Sequence, residues 1–298
     1  MNKKYFLDEH PVLKYKRINP TPSKEEIEHY YKQEFYSGEY KRFNDSELIV
    51  QEADKEFFES IWNRIIENLQ ILTADSVKGK TILDIGCGWG LALKYYEGLG
   101  LKCFGLDPSP EAVEYSIKNG LNVKLSGIEY INYHNEKKYN FISLMNVLEH
   151  IGSPEIYLKK IVENLMTEET ILVIDVPNDF NCLQIAGRNS LNLNNWWIAP
   201  PQHLNYFNLK SLTNVIEYCG MEVIYAHSSF PLEIFLLMGE NYVSEASIGR
   251  DIHKKRCKFE KNMQAYDGGV KLRELYENFA NIGIGRQLTV YARRVIQL

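Results

Sequence analysis

From residue 80 onward the chain alternates short apolar runs with amphipathic stretches, and this rhythm restricts the possible folds more than any other feature. The runs are Thr81–Ile85, Lys102–Leu106, Asn122–Leu125, Phe141–Met145 and Ile171–Val176. Between them, Leu91–Gly98, Pro110–Asn119 and Pro154–Leu165 carry helical spacing. Strands buried on both faces read as continuous apolar segments, and the intervening helices supply the crossovers that parallel pairing requires. A further helix over Leu209–Cys219, closed by Gly220, leads into a strand at Met221–Ala226, and a last strand spans Gln287–Val295. The spacing predicts an α/β fold with a mostly parallel sheet covered by helices on both faces.

The flanking segments divide the remainder. Residues 1–78 form a tyrosine-rich N-terminal segment, 79–228 the core, 229–285 a helical insertion over one end of the sheet, and 286–298 the final strand of the core. Pro11, Pro20 and Pro22 predict irregular structure over residues 1–22. Ser23 ahead of Glu25, Glu26 and Glu28 reads as a helix start. Phe57, Ile61, Ile65 and Leu69 predict an amphipathic helix over Val50–Leu72.

Composition excludes several classes. A formal charge of −5 disfavours a broad phosphate-binding face, so no nucleic-acid partner is expected. No run approaches a membrane span; the longest apolar one, Ile234–Met238, is flanked by Glu233 and Glu240. No N-terminal stretch has the layout of a secretory signal, and the five scattered cysteines form no CxxC pair. A cytoplasmic chain with free thiols and no structural zinc is expected.

Chemistry concentrates first in Leu83-Asp84-Ile85-Gly86-Cys87-Gly88-Trp89-Gly90, which follows a strand and opens a helix. Glycines at 86, 88 and 90 allow a tight turn that a ligand can approach closely. Asp107 ends the next strand, 21 residues beyond Gly86, where an acid can accept bonds from two ribose hydroxyls. Together they indicate a Rossmann-like nucleoside site rather than a capped turn. The third glycine of a dinucleotide fingerprint is displaced, because Leu91 stands in its place. Asp84 would repel a pyrophosphate and suits the ammonium of an amino acid. S-adenosylmethionine carries an ammonium, a sulfonium and no phosphate, so it is the expected cofactor.

Leu83–Gly90, Gly105-Leu106-Asp107-Pro108-Ser109, Tyr139–Ile151 and Val173–Asn178 together resemble the class I methyltransferases. The likeness is greatest to the branch that contains ubiquinone-biosynthesis O-methyltransferases and many sugar-modifying enzymes. It covers about residues 80–228 and implies a seven-stranded sheet whose last strand is antiparallel and inserted between its neighbours. It implies that Asp84, Gly86 and Gly88 line the methionine part of the cofactor and that Asp107 holds the ribose. Ser126, Gly127 and Ile128 would lie against the adenine, with Asn146 and Val147 near the sulfonium. The N-terminal stretch resembles a narrower group in which Asn19-Pro20-Thr21-Pro22 precedes a tyrosine pair, here Tyr30 and Tyr31, then Tyr36 and Tyr40. An aromatic lid would exclude water and favour a sulfonium, and Tyr36 is its candidate; packing of one helix on the core is the competing reading.

Methyl transfer to a hydroxyl benefits from a general base, usually histidine. His203, in Gln202-His203-Leu204-Asn205-Tyr206-Phe207, follows the fifth strand, and related enzymes place a histidine in a similar segment facing the acceptor. It is the first catalytic candidate; bracing the following helix is the alternative. His150, beside Glu149, is the second, with a structural role in the motif loop as its rival. In the ubiquinone branch an acid stands where Asn146 stands and joins the Glu-His pair in binding a divalent metal. An amide is a weaker ligand, so no tightly bound metal is expected. Trp197 and Tyr206 are candidates for acceptor contact. In the insertion, His253 and Arg256 could grip a phosphate or simply form a solvated face.

The sequence thus reads as an S-adenosylmethionine-dependent methyltransferase acting on a small polar molecule. The first acceptor is the hydroxyl of a saccharide or nucleotide sugar, with or without a phosphate; a quinone-like phenol comes second. A nicotinamide dehydrogenase and a non-catalytic cofactor-binding subunit are the competing classes. Nothing in the sequence sets the oligomeric state.

Overall fold

The computed structural model describes residues 5–23, 25, 26, 29, 47–127 and 138–295. The core is a seven-stranded sheet of β3 (Thr81–Ile85), β4 (Lys102–Asp107), β5 (Val123–Leu125), β6 (Phe141–Met145), β7 (Ile171–Pro177), β9 (Met221–Ser228) and β10 (Gln287–Arg294). Its strand order is β5-β4-β3-β6-β7-β10-β9. Pairings from β5 through β7 are parallel, while β10 runs antiparallel between β7 and β9. This is the inserted antiparallel strand that the resemblance implied.

Ile82, Ile142, Leu172, Val173 and Ile174 are fully buried because helices cover both faces. One face packs Leu148, Leu158, Ile161, Leu212 and Val215, from the turn after β6, α5 (Pro154–Leu165) and α7 (Leu209–Tyr218). The other packs Ile65, Leu69, Leu93, Tyr96 and Val113, from α2 (Lys55–Thr73), α3 (Leu91–Gly98) and α4 (Pro110–Lys118). Truncating any one of these buried aliphatics to Ala costs about 2–5 kcal/mol in comparable cores. Parallel register brings the carboxyl ends of β3, β4, β6 and β7 to one edge, and the site is built there.

Two departures from the sequence reading have clear physical causes. The described part of the 1–22 stretch, residues 5–22, is not irregular. β1 (Phe6–Glu9) and β2 (Lys16–Asn19) form an antiparallel hairpin, which β8 (Asn205–Tyr206) extends to three strands. Pro11 lies in the hairpin turn and Pro20 just beyond β2, so neither interrupts a ladder. His10 braces the turn by accepting the Leu13 N–H at its Nδ1 (3.0 Å). The amphipathic stretch near residue 50 is two helices, α1 (Glu47–Ala53) and α2, parted at Asp54.

The helix start at Ser23 carries reciprocal bonds, Glu26 N–H to Ser23 Oγ (3.2 Å) and Ser23 N–H to Glu26 Oε2 (3.0 Å). The insertion before β10 is helical: α8 (Glu233–Leu237), α9 (Ala246–Asp267) and α10 (Val270–Asn281). It packs Phe230, Leu272 and Tyr276 into a small core of their own. The remaining helix, α6 (Cys182–Leu191), follows β7 behind an Asn181 capping box. No helix among the described residues is long and apolar enough to cross a membrane.

Candidate active site

The turn from β3 into α3 uses three glycines at positive φ, Gly86 (80°), Gly88 (51°) and Gly90 (71°). A Cβ on Gly86 would lie 2.5 Å from Val147 Cγ2, and one on Gly90 would lie 2.6 Å from Leu121 Cδ1. Gly86→Ala therefore meets both left-handed strain and a clash. It should destabilise the fold by about 1–3 kcal/mol in thermal or chemical unfolding. Adding Val147→Ala should recover only the part due to the clash.

The turn's own amides point inward. Gly86 N–H and Cys87 N–H donate to the Leu106 carbonyl (2.7 and 3.1 Å), Gly90 N–H to the Cys87 carbonyl (3.0 Å) and Gly88 N–H to Asp107 Oδ2 (2.8 Å). A pyrophosphate cradle needs those donors free. Here the anion held by the bend is the protein's own Asp107. Its other oxygen, Oδ1, accepts the Ser109 N–H (2.8 Å). Each carboxylate oxygen keeps a second acceptor site, enough for two ribose hydroxyls. Gly127, just past β5, adjoins this point, because Ser126 N–H donates to the Asp107 carbonyl (3.0 Å).

Asp84 is buried at 4% exposure and accepts the Ser143 hydroxyl (2.7 Å). Burial pushes its carboxyl up to about 6; the Ser143 bond opposes the shift and the nearby Asp107 charge adds to it. Burial also raises Asp107, against its two backbone bonds. The two acids are thus close enough for each charge to be felt by the other.

Past β6 the chain turns at Asn146 (φ 54°), whose N–H donates to the Asp175 carbonyl (2.9 Å) and whose Oδ1 accepts Gln287 Nε2 (2.7 Å). Val147 leans on the glycine bend, and a single 3-10 turn, Leu148–His150, follows. The loop after β7 is stitched to this turn. Leu204 N–H donates to the Glu149 carbonyl (2.7 Å), and Asn205 Nδ2 donates to Leu148 O (3.0 Å) and to Ile151 O. Those bonds bring His203 against His150, with ring centroids 5.0 Å apart and nearly perpendicular. Donor atoms of Glu149, His150 and His203 all lie within 4.8 Å of one another.

Burial dominates the electrostatics of this cluster. His203 is held down to about 4, by burial first and by His150 second. Burial also lowers His150, although its ring nitrogen faces the Gln202 carbonyl (2.8 Å). Glu149 is raised well above the usual carboxylate range by burial, with Asp175 and Asp179 adding to it. Asp175 is pushed up to about 7 and Asp179 to about 8. The sequence reading missed Asp175 and Asp179; the available signal was an acid inside an otherwise apolar strand and another just past its end.

The other sequence candidates sit differently. Tyr206 is buried, and its hydroxyl joins both ends of the 199–203 turn, donating to His203 O and accepting Ala199 N–H (3.1 Å each). It braces His203. Trp197 is buried with Tyr5, Ile18 and Tyr206, and its indole N–H has no partner among the described residues. His253 pairs with Asp54, and Arg256 lies over the Phe57 ring (4.2 Å) while bonding His253 Nδ1. These two join α9 to the start of α2 and are not drawn into the histidine cluster. Tyr36 and Ile128 lie outside the described residues.

Residues 57–226 match the family model described as a methyltransferase domain. A probable (S)-tetrahydroprotoberberine N-methyltransferase 2 of Papaver bracteatum is 32% identical over 146 residues, 45% of this chain and 39% of its own. A ubiquinone biosynthesis O-methyltransferase of Glaesserella parasuis is 31% identical over 110 residues, 34% and 46% of the two chains. A tRNA U34 carboxymethyltransferase of Aliarcobacter butzleri is 29% identical over 177 residues, 56% and 55%. The chain thus spans about half the length of the curated relatives it matches, or less. Among solved structures, the plantazolicin methyltransferase BamL, determined with S-adenosylhomocysteine, aligns over 90% of this chain and 94% of its own, with a TM-score of 0.55 at 13% identity. That likeness bears on the fold. The chain belongs to the methyltransferase-domain family and has the architecture of a class I methyltransferase.

Proposed function

We propose that the protein moves the methyl group of S-adenosylmethionine to a hydroxyl of a small polar acceptor, a saccharide that is free or nucleotide-linked. One observation carries this reading. Asn178 Oδ1 and Asp179 Oδ2, just past β7, and His203 Nδ1, in the loop before β8, are buried without hydrogen-bond partners among the described residues. Buried polar atoms are nearly always satisfied, so a ligand rich in hydroxyl donors fits these groups better than an apolar one. His253 and Arg256 lend no support to phosphate recognition, since Asp54 and Phe57 already engage them. A polynucleotide acceptor is disfavoured by the net charge of −5 and by the acids of this edge.

In this reading Asp84 attracts the methionine ammonium, Gly86 and Gly88 let that moiety approach, and Asp107 takes the ribose hydroxyls. Gly127 meets the adenine, and Asn146 and Val147 border the sulfonium. Val147 touches the glycine bend and stands two residues before Glu149, so the methyl donor and the histidine cluster share one short stretch of chain. The acceptor must sit about 3 Å from the methyl carbon, in line with the breaking C–S bond. His203, neutral above about pH 4, accepts the hydroxyl proton as the new C–O bond forms.

The Asp84 assignment carries a pH signature. Its carboxyl is raised to about 6, so it becomes neutral as pH falls through that value and loses its hold on an ammonium. The affinity for S-adenosylhomocysteine should therefore weaken about tenfold between pH 7 and pH 5, with proton release on binding near pH 6. Calorimetry in buffers of different ionisation heat measures both.

A phenol acceptor is the second reading, favoured by the match to a ubiquinone biosynthesis O-methyltransferase. Release of S-adenosylhomocysteine across a panel of saccharides, nucleotide sugars, phenols and amines separates the two. Turnover with sugars is expected; turnover with phenols alone would promote the second reading. Tight cofactor binding with no turnover on any class would make the chain a binding subunit.

A further inference from the structure

Glu149 is 1% exposed, and its Oε2 has no hydrogen-bond partner among the described residues. A carboxylate taken out of water calls for a positive partner. His150 Nε2 stands 3.8 Å from Glu149 Oε1, too far for a hydrogen bond. His150 Nδ1 lies 2.8 Å from the Gln202 carbonyl, so that nitrogen carries the proton and the Nε2 lone pair faces Glu149. A metal-ligating histidine is held in this way, its second N–H spent on a backbone carbonyl. His203 adds a ring whose Nδ1 is also unpartnered.

The three donor atoms lie within 4.8 Å of one another. Ligands on one ion with bonds of about 2.0–2.2 Å stand at most about 4.4 Å apart, so shifts of a few tenths of an ångström bring all three onto one centre. Asn146 Oδ1 already accepts Gln287 Nε2, and an amide is a weaker ligand than a carboxylate. The third donor therefore comes from the loop after β7, not from the turn after β6. That exchanges an oxygen-rich set for one of two imidazoles and a carboxylate, which favours transition ions over Mg²⁺ and Ca²⁺ and leaves coordination positions open.

We propose that Glu149, His150 and His203 bind a divalent transition-metal ion, with His203 supplying the ligand that Asn146 cannot. When bound, the ion would supply Lewis-acid stabilisation to an acceptor oxyanion. His203 would then serve as ligand, and the base role given to it above would hold only for the metal-free chain. Binding itself does not depend on the choice of acceptor. Its catalytic meaning rests on reading this cluster as the acceptor site.

The test is direct titration of the chelator-treated chain with Zn²⁺, Co²⁺ and Mg²⁺, by calorimetry and by the visible absorption of Co²⁺. One ion per chain is expected, with Mg²⁺ at least 100-fold weaker than Zn²⁺. His203→Ala, His203→Gln and Glu149→Gln should each weaken Zn²⁺ at least tenfold and alter the Co²⁺ spectrum. S-adenosylhomocysteine affinity, unchanged in at least one of the three variants, certifies the fold. Two results would overturn the site: no Zn²⁺ or Co²⁺ binding by a chain that binds S-adenosylhomocysteine, or unchanged Zn²⁺ affinity in a folded His203 variant. Failure of the acceptor reading looks different, because the ion would bind while no sugar hydroxyl is methylated.

Discussion

Replacing Asp84 with Asn should weaken S-adenosylhomocysteine binding about 100-fold while leaving the fold as stable as before, or slightly more so. Asparagine keeps the shape and still accepts the Ser143 hydroxyl that Asp84 accepts at 2.7 Å. It removes a buried charge whose carboxyl is already pushed up to about 6, so the free protein gives up little. The ligand gives up more, since a hydrogen bond to an ionised partner contributes roughly 1.5–3 kcal/mol. That range is about 10- to 150-fold in affinity, and burial places the expectation toward its upper end. Calorimetry reads the affinity and thermal unfolding reads the stability. Affinity within threefold of the parent would remove Asp84 from the ammonium site.

In the metal-free chain, His203→Ala should lower turnover by two or more orders of magnitude, about the contribution of a general base, with cofactor affinity changed by less than twofold. The separation follows from position: the glycine bend and Asp107 bind one another through backbone amides, and none of those bonds passes through residue 203. Because burial holds His203 near 4, it stays unprotonated through the physiological range. The limb of the pH–rate profile that belongs to it should therefore fall below about pH 4–5, not near 6.5. A turnover close to the parent's would retire the assignment. Loss of cofactor affinity in step with turnover would mean that the residue supports the loop and nothing else.

The sheet could be read from the sequence because strands buried on both faces leave continuous apolar runs. β3 and β6, and the helices α3 and α5, fall at the bounds that spacing alone set. β1 and β2 could not be read that way. Four-residue strands carry too little alternation, and β2 draws part of its ladder from β8, some 190 residues away.

The geometry of the proposed cofactor side was readable for a local reason, a glycine bend and an acid one strand later. On the proposed acceptor side His150 and His203 were legible singly, but their meeting was not. Glu149 and His150 meet His203 across more than 50 residues, through bonds from Leu204 and Asn205 that no spacing announces. The basic cluster misled for the converse reason. His253 finds Asp54 at a separation of 199 residues, so a side chain that looks free in the sequence is engaged in the fold.

The proposed cofactor site is a crevice in which a buried acid, Asp84, and the Gly86–Gly90 bend would hold an adenosyl sulfur compound. Its backbone amides face inward, toward the protein's own acid, not outward toward a pyrophosphate. Titrating the unmodified chain with S-adenosylhomocysteine and, separately, with NAD tests that claim most directly. One S-adenosylhomocysteine per chain and no measurable NAD binding are expected. NAD bound as tightly as S-adenosylhomocysteine, or S-adenosylhomocysteine not bound at all, would contradict it.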